Sequence, residues 1–168
     1  NKSYFFFSHT IKKQPYNRDL LRAILDKNIT LYDHETLVDE QNHRLIGFGY
    51  YAGVVGAYNG MRALGLKEHT FNLPKATTLS GRQELNSELD HISLPNIKIV
   101  LTGTGRVGQG AKEILDHLNI KKVSVEAFLN NDFDEAVYVQ LDVLDYCDRI
   151  DGKPLGKLDF FQHPEAYR

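Results

Sequence analysis

The sequence predicts an α/β protein, because short strand-like segments alternate with helical patterns along its 168 residues. Residues 4–7 form an aromatic run with strand propensity. The apolar run 97–101 leads directly into a helical pattern over about 107–118. The hydrophobic share of 42% and the charged share of 25% are those of an ordinary globular protein that can bury a core.

The first half of the chain is predicted to hold three strands and one helix. The aromatic strand 4–7 is expected to be buried, and Asn17 is a suitable N-cap for an amphipathic helix over 19–25. Further strands are expected at 29–32 and at 44–48, on either side of a polar turn. These elements predict a small α/β unit.

The second half is predicted to begin with a helix over 50–66 that is rich in glycine and alanine. Glycine inside a helix costs roughly 0.5–1 kcal/mol relative to alanine, so its repeated use indicates close packing against another backbone. Five further elements are predicted in order: a polar helix over 81–92, a strand over 97–101, a helix over 107–118, and strands over 122–125 and 136–141. A short terminal helix capped by Asp159 follows them.

A glycine-rich turn, Gly103-x-Gly105-x-x-Gly108, follows the strand 97–101 and opens the next helix. In such turns the first glycine permits a tight bend, the second lets the backbone approach a pyrophosphate, and the third lets helix and strand pack closely. Backbone N–H groups at the helix start then bind the phosphate charge. The alternative is a purely structural glycine turn. The placement favours a Rossmann-like dinucleotide site formed by Gly103, Thr104, Gly105, Arg106, Val107 and Gly108.

The choice of dinucleotide depends on Glu126, which follows the predicted strand 122–125. An acidic residue at the end of the second strand of such a unit binds the ribose hydroxyls of NAD. Its charge also repels the 2′-phosphate of NADP. We therefore predict NAD as the cofactor with Glu126 at the ribose, and a surface glutamate without a ligand is the alternative.

Polar side chains adjoin the predicted strands of the first half, where ligands of α/β sheets gather. His9 and Lys12 follow the first strand, Glu35 follows the second, and Arg44 opens the third. An imidazole, an ammonium, a carboxylate and a guanidinium can together bind an amino-acid-like substrate and move its protons. Each also has a structural alternative as a turn residue, a cap or a surface charge.

Three motifs in the first half resemble one enzyme family. They are Phe7-Ser8-His9-Thr10-Ile11-Lys12-x-Gln14, Leu31-Tyr32-Asp33-x-Glu35-x-Leu37 and Phe48-Gly49-x-Tyr51-Ala52-Gly53. The sequence resembles the lysine-forming saccharopine dehydrogenases, which share their architecture with alanine dehydrogenase and the NAD-binding subunit of transhydrogenase. The resemblance covers about residues 3–68 and resumes at 103–111.

The resemblance implies a two-domain enzyme with its active site in a cleft. Such an enzyme oxidatively cleaves saccharopine with NAD and water, giving lysine and 2-oxoglutarate. By position, His9 matches the acid–base histidine of the family and Lys12 the lysine of the same motif. Glu35 matches the glutamate that tunes the neighbouring charges, and Arg44 matches an arginine that binds a substrate carboxylate.

The resemblance also implies domain limits. We expect part of a substrate domain over 1–49, and a linking helix with an incomplete NAD-binding domain over 50–168. The second catalytic base of the family, a lysine before the aromatic strand, has no counterpart here. We therefore expect a fragment with part of an active site, inactive by itself. Two other functions stay open: an alanine-dehydrogenase-like enzyme acting on another amino acid, and an NAD-binding module without turnover.

The composition restricts the kinds of partner and the cellular compartment that we expect for this protein. A net charge of −2 gives no basic surface for nucleic acid, and we find no apolar run of bilayer length. The single cysteine, Cys147, excludes an intrachain disulfide and favours a reducing, cytoplasmic setting. The seven histidines have no metal-ligand spacing, so no metal is predicted. The expected partner is a small amino-acid substrate, and a homo-oligomer is possible.

Overall fold

The computed structural model describes residues 2–168 and divides the chain into two compact units. One unit ends at Phe48, and the other is Gly49–Arg168. Each unit combines helices with a parallel sheet, so the predicted α/β fold class is confirmed. Among residues 2–168, no helix is both long and apolar enough to cross a membrane.

Over residues 2–48, the first unit contains two parallel strands and one α-helix. Strand β1, Ser3–Phe6, pairs with β2, Thr30–Asp33, so that Ser3 lies opposite Thr30. Helix α1, Arg18–Asp26, connects them, with Asn17 at its N-cap position as predicted, although the Asn17 side chain makes no capping hydrogen bond. Two short 3-10 turns precede the helix at Thr10–Lys12 and Pro15–Asn17.

Two predictions for this unit are wrong. Strand β1 is not buried: Phe5 is 64% exposed and stacks on Tyr32 across the strand pair, with 4.5 Å between ring centroids. The strand expected at 44–48 does not form, and only an isolated bridge joins Val38 to Arg44. The reason is a local turn, because the Asp39 carboxylate accepts hydrogen bonds from the backbone of two following residues, Gln41 and His43.

The second unit has five helices and a three-stranded parallel sheet. The helices are α2 (Gly49–Glu68), α3 (Arg82–Leu89), α4 (Arg106–His117), α5 (Val125–Asn130) and α6 (Lys157–Gln162). The strands are β3 (Lys98–Thr102), β4 (Lys121–Lys122) and β5 (Val137–Leu141). The sheet order is β3-β5-β4, so β5 lies between the two earlier strands. The predicted helix cap Asp159 lies within α6, and the N-cap of that helix is Gly156. The Asp159 carboxylate binds Arg149 and Tyr167 instead of capping the helix.

Helices α2 and α4 pack with their backbones in contact, as the small residues of α2 predict. A Cβ atom on Gly53 would overlap the carbonyl oxygen of Val107, and a Cβ atom on Gly110 would overlap that of Tyr50. The core beneath is made of large apolar side chains, with Tyr58, Leu89, Ile114 and Tyr138 nearly inaccessible to solvent. This packing fixes the start of α4, and hence the glycine turn that precedes it.

Candidate functional site

A buried polar anchor lies where β1 and β2 end. The Ser8 hydroxyl donates a hydrogen bond to the Asp33 carboxylate and accepts one from the backbone N–H of Thr10, 3.1 Å away. Asp33 also accepts the backbone N–H of Glu35 at 2.9 Å. Desolvation opposes ionisation of Asp33, but these hydrogen bonds outweigh it and lower the pKa of the carboxyl group. The anchor joins the two segments that carry the predicted catalytic residues.

His9 sits on this anchor in a left-handed backbone conformation, with φ at 55°. It precedes the 3-10 turn Thr10–Lys12, and the Lys12 backbone N–H donates to the His9 carbonyl at 3.1 Å. The turn brings the side chains of His9 and Lys12 to the same place, with 3.3 Å between Lys12 Nζ and His9 Nδ1.

Glu35 is the centre of the cluster, and its side chain is only 7% exposed. His9 Nδ1 lies 3.0 Å from Glu35 Oε2, while Lys12 Nζ and Arg44 Nη2 lie 3.2 and 3.3 Å from Oε1. The three partners are each 44–48% exposed. The structure therefore brings all four predicted residues of the first unit together around one carboxylate, while their catalytic roles stay predictions.

The surroundings of Glu35 favour its ionised form. Desolvation raises the pKa of Glu35, but the hydrogen bonds and charges of Lys12 and His9 outweigh it, so that the pKa falls below its ordinary value. An ionised carboxylate only accepts hydrogen bonds, so His9 Nδ1 is the donor in this contact and Nε2 is the ring nitrogen that the contact does not use. With Lys12 and Arg44 both cationic, the cluster has a surplus of positive charge that suits a substrate bearing carboxylates.

The glycine turn of the second unit has the geometry that a pyrophosphate requires. Gly103 has φ of 89°, and a Cβ on Gly108 would overlap the Gly103 carbonyl oxygen. Gly105 is the N-cap of α4 and has no side chain to cap the first N–H groups of the helix. These groups are available for an anion, so the turn fits the diphosphate of a dinucleotide.

The other predicted cofactor residues lie around this turn. Thr104 and Arg106 are exposed, and the Thr104 hydroxyl donates to Asp142 Oδ2 at 2.7 Å. Val107 has an exposed side chain, while its carbonyl packs on Gly53 of α2. No observation on the described residues assigns a ligand to them, so their binding roles stay predictions.

The prediction that Glu126 ends a strand is wrong. Strand β4 is only two residues long, and Glu126 lies in the first turn of α5. Ser124 causes the difference, because its hydroxyl accepts the backbone N–H of Ala127 at 3.1 Å and so caps a helix. The strand beside β3 is β5 and not β4, and the ribose-binding role of Glu126 stays a prediction.

Two residues that the sequence did not single out meet at the glycine turn. Lys157 Nζ forms an ion pair with Asp142 Oδ2 and lies 3.2 Å from the Thr104 hydroxyl oxygen. The hydrogen bonds from Lys157 and Thr104 lower the pKa of Asp142 to about 2. Asp142 directly follows a predicted strand, and this position could have marked it as a candidate site residue. Lys157 lies 15 residues further along the chain, and no sequence pattern marks it.

A pocket of 390 Å³ opens beside this pair. Its lining includes residues of the glycine turn, Gly103, Thr104 and Gly105, and three aromatic residues, Tyr146, Phe160 and Phe161. Among residues 2–168 no group of three or more His, Cys, Asp or Glu side chains is arranged to hold a metal ion.

Comparison with known proteins gives the family. No family model matches the chain. It is 36% identical to alpha-aminoadipic semialdehyde synthase, mitochondrial, of Rattus norvegicus over 135 residues, covering 70% of this chain and 15% of that protein. It is 28% identical to saccharopine dehydrogenase [NAD(+), L-lysine-forming] of Candida glabrata over 135 residues, covering 71% of this chain and 35% of that protein. The chain is a saccharopine dehydrogenase homologue.

A plant relative extends this relationship along the whole chain. Alpha-aminoadipic semialdehyde synthase of Arabidopsis thaliana is 29% identical over an alignment of 202 residues, covering 99% of this chain and 19% of that protein. The resemblance inferred from the motifs is therefore confirmed. The chain spans between 15% and 35% of the lengths of these relatives.

Proposed function

We propose that the protein is an NAD-dependent oxidoreductase of the saccharopine dehydrogenase type. The reaction consumes saccharopine, NAD and water and yields lysine, 2-oxoglutarate, NADH and a proton. The observation that carries the proposal is the cluster around Glu35, in which an imidazole and two cationic side chains share one nearly buried carboxylate. The homology to lysine-forming saccharopine dehydrogenase supports the same reaction.

His9 is the residue that we propose moves protons. Oxidation of a secondary amine to an imine releases the proton on nitrogen, and hydrolysis of the imine requires a proton taken from water and one delivered to the leaving amine. Because Nδ1 is held by Glu35, Nε2 is the nitrogen that exchanges these protons. The side chain is partly exposed, so a substrate can reach it.

Glu35 and Lys12 position His9 for this work. Glu35 keeps the ring in one orientation and one tautomer, and it stabilises the imidazolium each time His9 takes up a proton. Lys12 holds the other oxygen of the same carboxylate at 3.2 Å, which prevents Glu35 from rotating away. Both residues thereby act through His9.

Arg44 is the proposed ligand for a substrate carboxylate. Only Nη2 of its guanidinium contacts Glu35, and the side chain is about half exposed. A guanidinium has several N–H donors in a planar arrangement that matches a carboxylate. Arg44 can therefore keep its contact with Glu35 and still bind one of the carboxylates that saccharopine carries.

The residues of the glycine turn fit NAD, which supplies the acceptor for the hydride when it is bound. Gly103 and Gly105 leave room for the diphosphate, Gly108 lets the turn pack closely on the helix, and the first N–H groups of α4 neutralise the charge of the diphosphate. The proposed role of this turn is to bind and orient the cofactor.

The test is turnover by the complete gene product. Saccharopine with NAD is expected to produce the near-ultraviolet absorbance of NADH together with an equal amount of lysine. Activity on alanine or pyruvate without activity on saccharopine would contradict the proposal and would indicate an alanine-dehydrogenase-like enzyme. Tight binding of NADH with no turnover of any amino acid would instead identify a non-catalytic NAD-binding module.

We also propose a cytoplasmic setting, because the single cysteine, Cys147, cannot form an intrachain disulfide. A fluorescent fusion of the complete gene product is expected to spread through the cytoplasm. Concentration of the fusion in a membrane-bounded organelle would contradict this.

A further inference from the structure

Gln140 is an amide side chain within a strand whose other residues are valine, tyrosine and leucine. It lies opposite Leu101 of β3 and is partly buried. Burying an amide costs free energy unless the amide forms hydrogen bonds. Its partner is the glycine turn, because Gln140 Nε2 donates a hydrogen bond to the Gly103 carbonyl oxygen at 3.0 Å.

Gly103 is tied to β5 through both of its backbone groups. Its N–H donates to the Leu141 carbonyl oxygen at 2.7 Å, and its own carbonyl accepts from Gln140. The same carbonyl oxygen lies against Gly108, where a Cβ atom would overlap it. In a trans peptide group the C=O and the following N–H point in opposite directions. This arrangement therefore turns the N–H of Thr104 away from Gln140 and Gly108.

A second glutamine binds the next carbonyl of the turn. Gln109, on the exposed face of α4, donates from Nε2 to the Thr104 carbonyl oxygen at 3.3 Å. The backbone N–H of Gln109 donates to the Gly105 carbonyl oxygen at 2.9 Å. Three consecutive carbonyl oxygens of the turn thus accept hydrogen bonds from the protein, two of them from glutamine amides.

The orientation of these carbonyl groups decides whether the turn attracts or repels an anion. A carbonyl oxygen carries a partial negative charge and an N–H group a partial positive one. Gly103 and Gly105 have open space at their Cβ positions, and glycine adopts several backbone conformations at little cost. The turn by itself therefore leaves the direction of its peptide groups free, and hydrogen bonds to the carbonyl oxygens remove that freedom.

We propose that Gln140 and Gln109 are positioning residues of the nucleotide site. They hold the carbonyl oxygens of Gly103 and Thr104, so that the turn presents its N–H groups to the diphosphate. Both glutamines act through the turn and not on the reacting atoms. This role rests on the proposed function, since it concerns the same dinucleotide site.

Removing each amide while keeping the length of the side chain tests this role. In Gln140→Met we expect the Kd for ADP-ribose, which carries the diphosphate, to rise about tenfold, a size typical of leaving a partly buried carbonyl without its donor. In Gln109→Met we expect a rise of about threefold, because this hydrogen bond is longer and exposed to water. Gln83→Met, on the exposed face of α3, is the matched control and should leave the Kd unchanged.

The variant Gln140→Glu distinguishes the hydrogen bond from a role in packing alone. An ionised carboxylate only accepts hydrogen bonds, whereas a protonated carboxyl group can donate one to the Gly103 carbonyl. We therefore expect Gln140→Glu to bind ADP-ribose more weakly than Gln140→Met at about pH 8 and more tightly at about pH 4.5, close to the ordinary pKa of glutamic acid of about 4.3.

Isothermal titration calorimetry measures these dissociation constants on the full chain, with circular dichroism as the check on folding at each pH. Gln109 lies at the surface, so Gln109→Met decides the test if Gln140→Met does not fold. Unchanged constants in the folded methionine variants, or a Gln140→Glu that stays weaker than Gln140→Met at both pH values, would overturn the role of the glutamines alone. A wild type that binds neither ADP-ribose nor NADH would overturn the proposed function as well.

Discussion

His9 shows how backbone and side chain combine at a single residue. Its φ of 55° is uncommon for a residue other than glycine and persists only where surrounding contacts impose it. Ser8 and Thr10 flank it, and their hydroxyl oxygens lie 2.7 Å apart in a network that ends on Asp33. The network keeps the imidazole on Glu35, so the strain at His9 is part of how the cluster is assembled.

Replacing His9 by glutamine tests its role in proton transfer. We expect kcat to fall about 100-fold or more, because an amide cannot take up and release protons, and this is the usual contribution of a general acid–base. The Kd for NADH is expected to stay the same, since His9 is not part of the glycine turn. The exposed His43, replaced in the same way, is the control and should leave both quantities unchanged. Equal losses of kcat and NADH affinity would mean that His9 is structural.

The pH dependence of stability tests the ion pairs of Glu35. Its pKa is lowered from 4.5, so the stabilisation from its ion pairs is fully present above pH 4.5 and is lost as the pH falls through the lower, folded value. The free energy of unfolding of Glu35→Gln should therefore lie below that of wild type at pH 7, and the two should converge on acidification. Urea unfolding at a series of pH values measures this. Glu40→Gln, at an exposed site, is the control, and a gap at Glu35 that does not change with pH would contradict the ion-pair explanation.

At the scale of elements, the close contact of α2 with α4 sets the position of the glycine turn. Gly110→Ala would place its Cβ on the Tyr50 carbonyl, and we expect the helices to separate at a cost of about 1–3 kcal/mol in the free energy of unfolding. Gly56 lies on the same helix α2 with open space at its Cβ position, so Gly56→Ala should stabilise by about 0.5–1 kcal/mol. Thermal and urea unfolding of both variants measure the difference. The same sign for both would exclude backbone contact as the cause.

Elements that depend on neighbouring residues were predicted well, whereas the order of the strands, which depends on non-local pairing, was not. The glycine turn and α4 were predicted because their residues are contiguous in the chain. Strand β4 was predicted too long because the Ser124 cap outweighs the strand propensity of its valine neighbours. The neighbour of β3 could not be predicted, because no local pattern tells which strand pairs with it, and β5 takes that place. His9, Lys12 and Glu35 were found because they follow β1 and β2, a rule that depends on the fold class and not on exact pairing. Arg44 was assigned from a strand that does not form.

At the scale of the whole molecule, the two candidate sites belong to different units. The cluster around Glu35 lies entirely in the first unit, and the glycine turn with Asp142 lies entirely in the second. Buried apolar side chains are distributed very unevenly. Among the described residues Ile24 is the one buried apolar side chain of the first unit, whereas a continuous cluster that includes Val54, Ile114 and Tyr138 fills the second.

This imbalance predicts that residues 49–168 fold independently. Since stability comes mainly from buried apolar surface, a unit with a continuous core should keep a cooperative unfolding transition when expressed alone, and a 48-residue unit with almost none should not. Circular dichroism with urea unfolding of the two separate segments measures this. Because the glycine turn and the pocket that it lines are within 49–168, that segment should also bind NADH with a Kd within about threefold of the full chain. A segment 49–168 that folds but has lost NADH affinity would mean that residues outside it complete the nucleotide site.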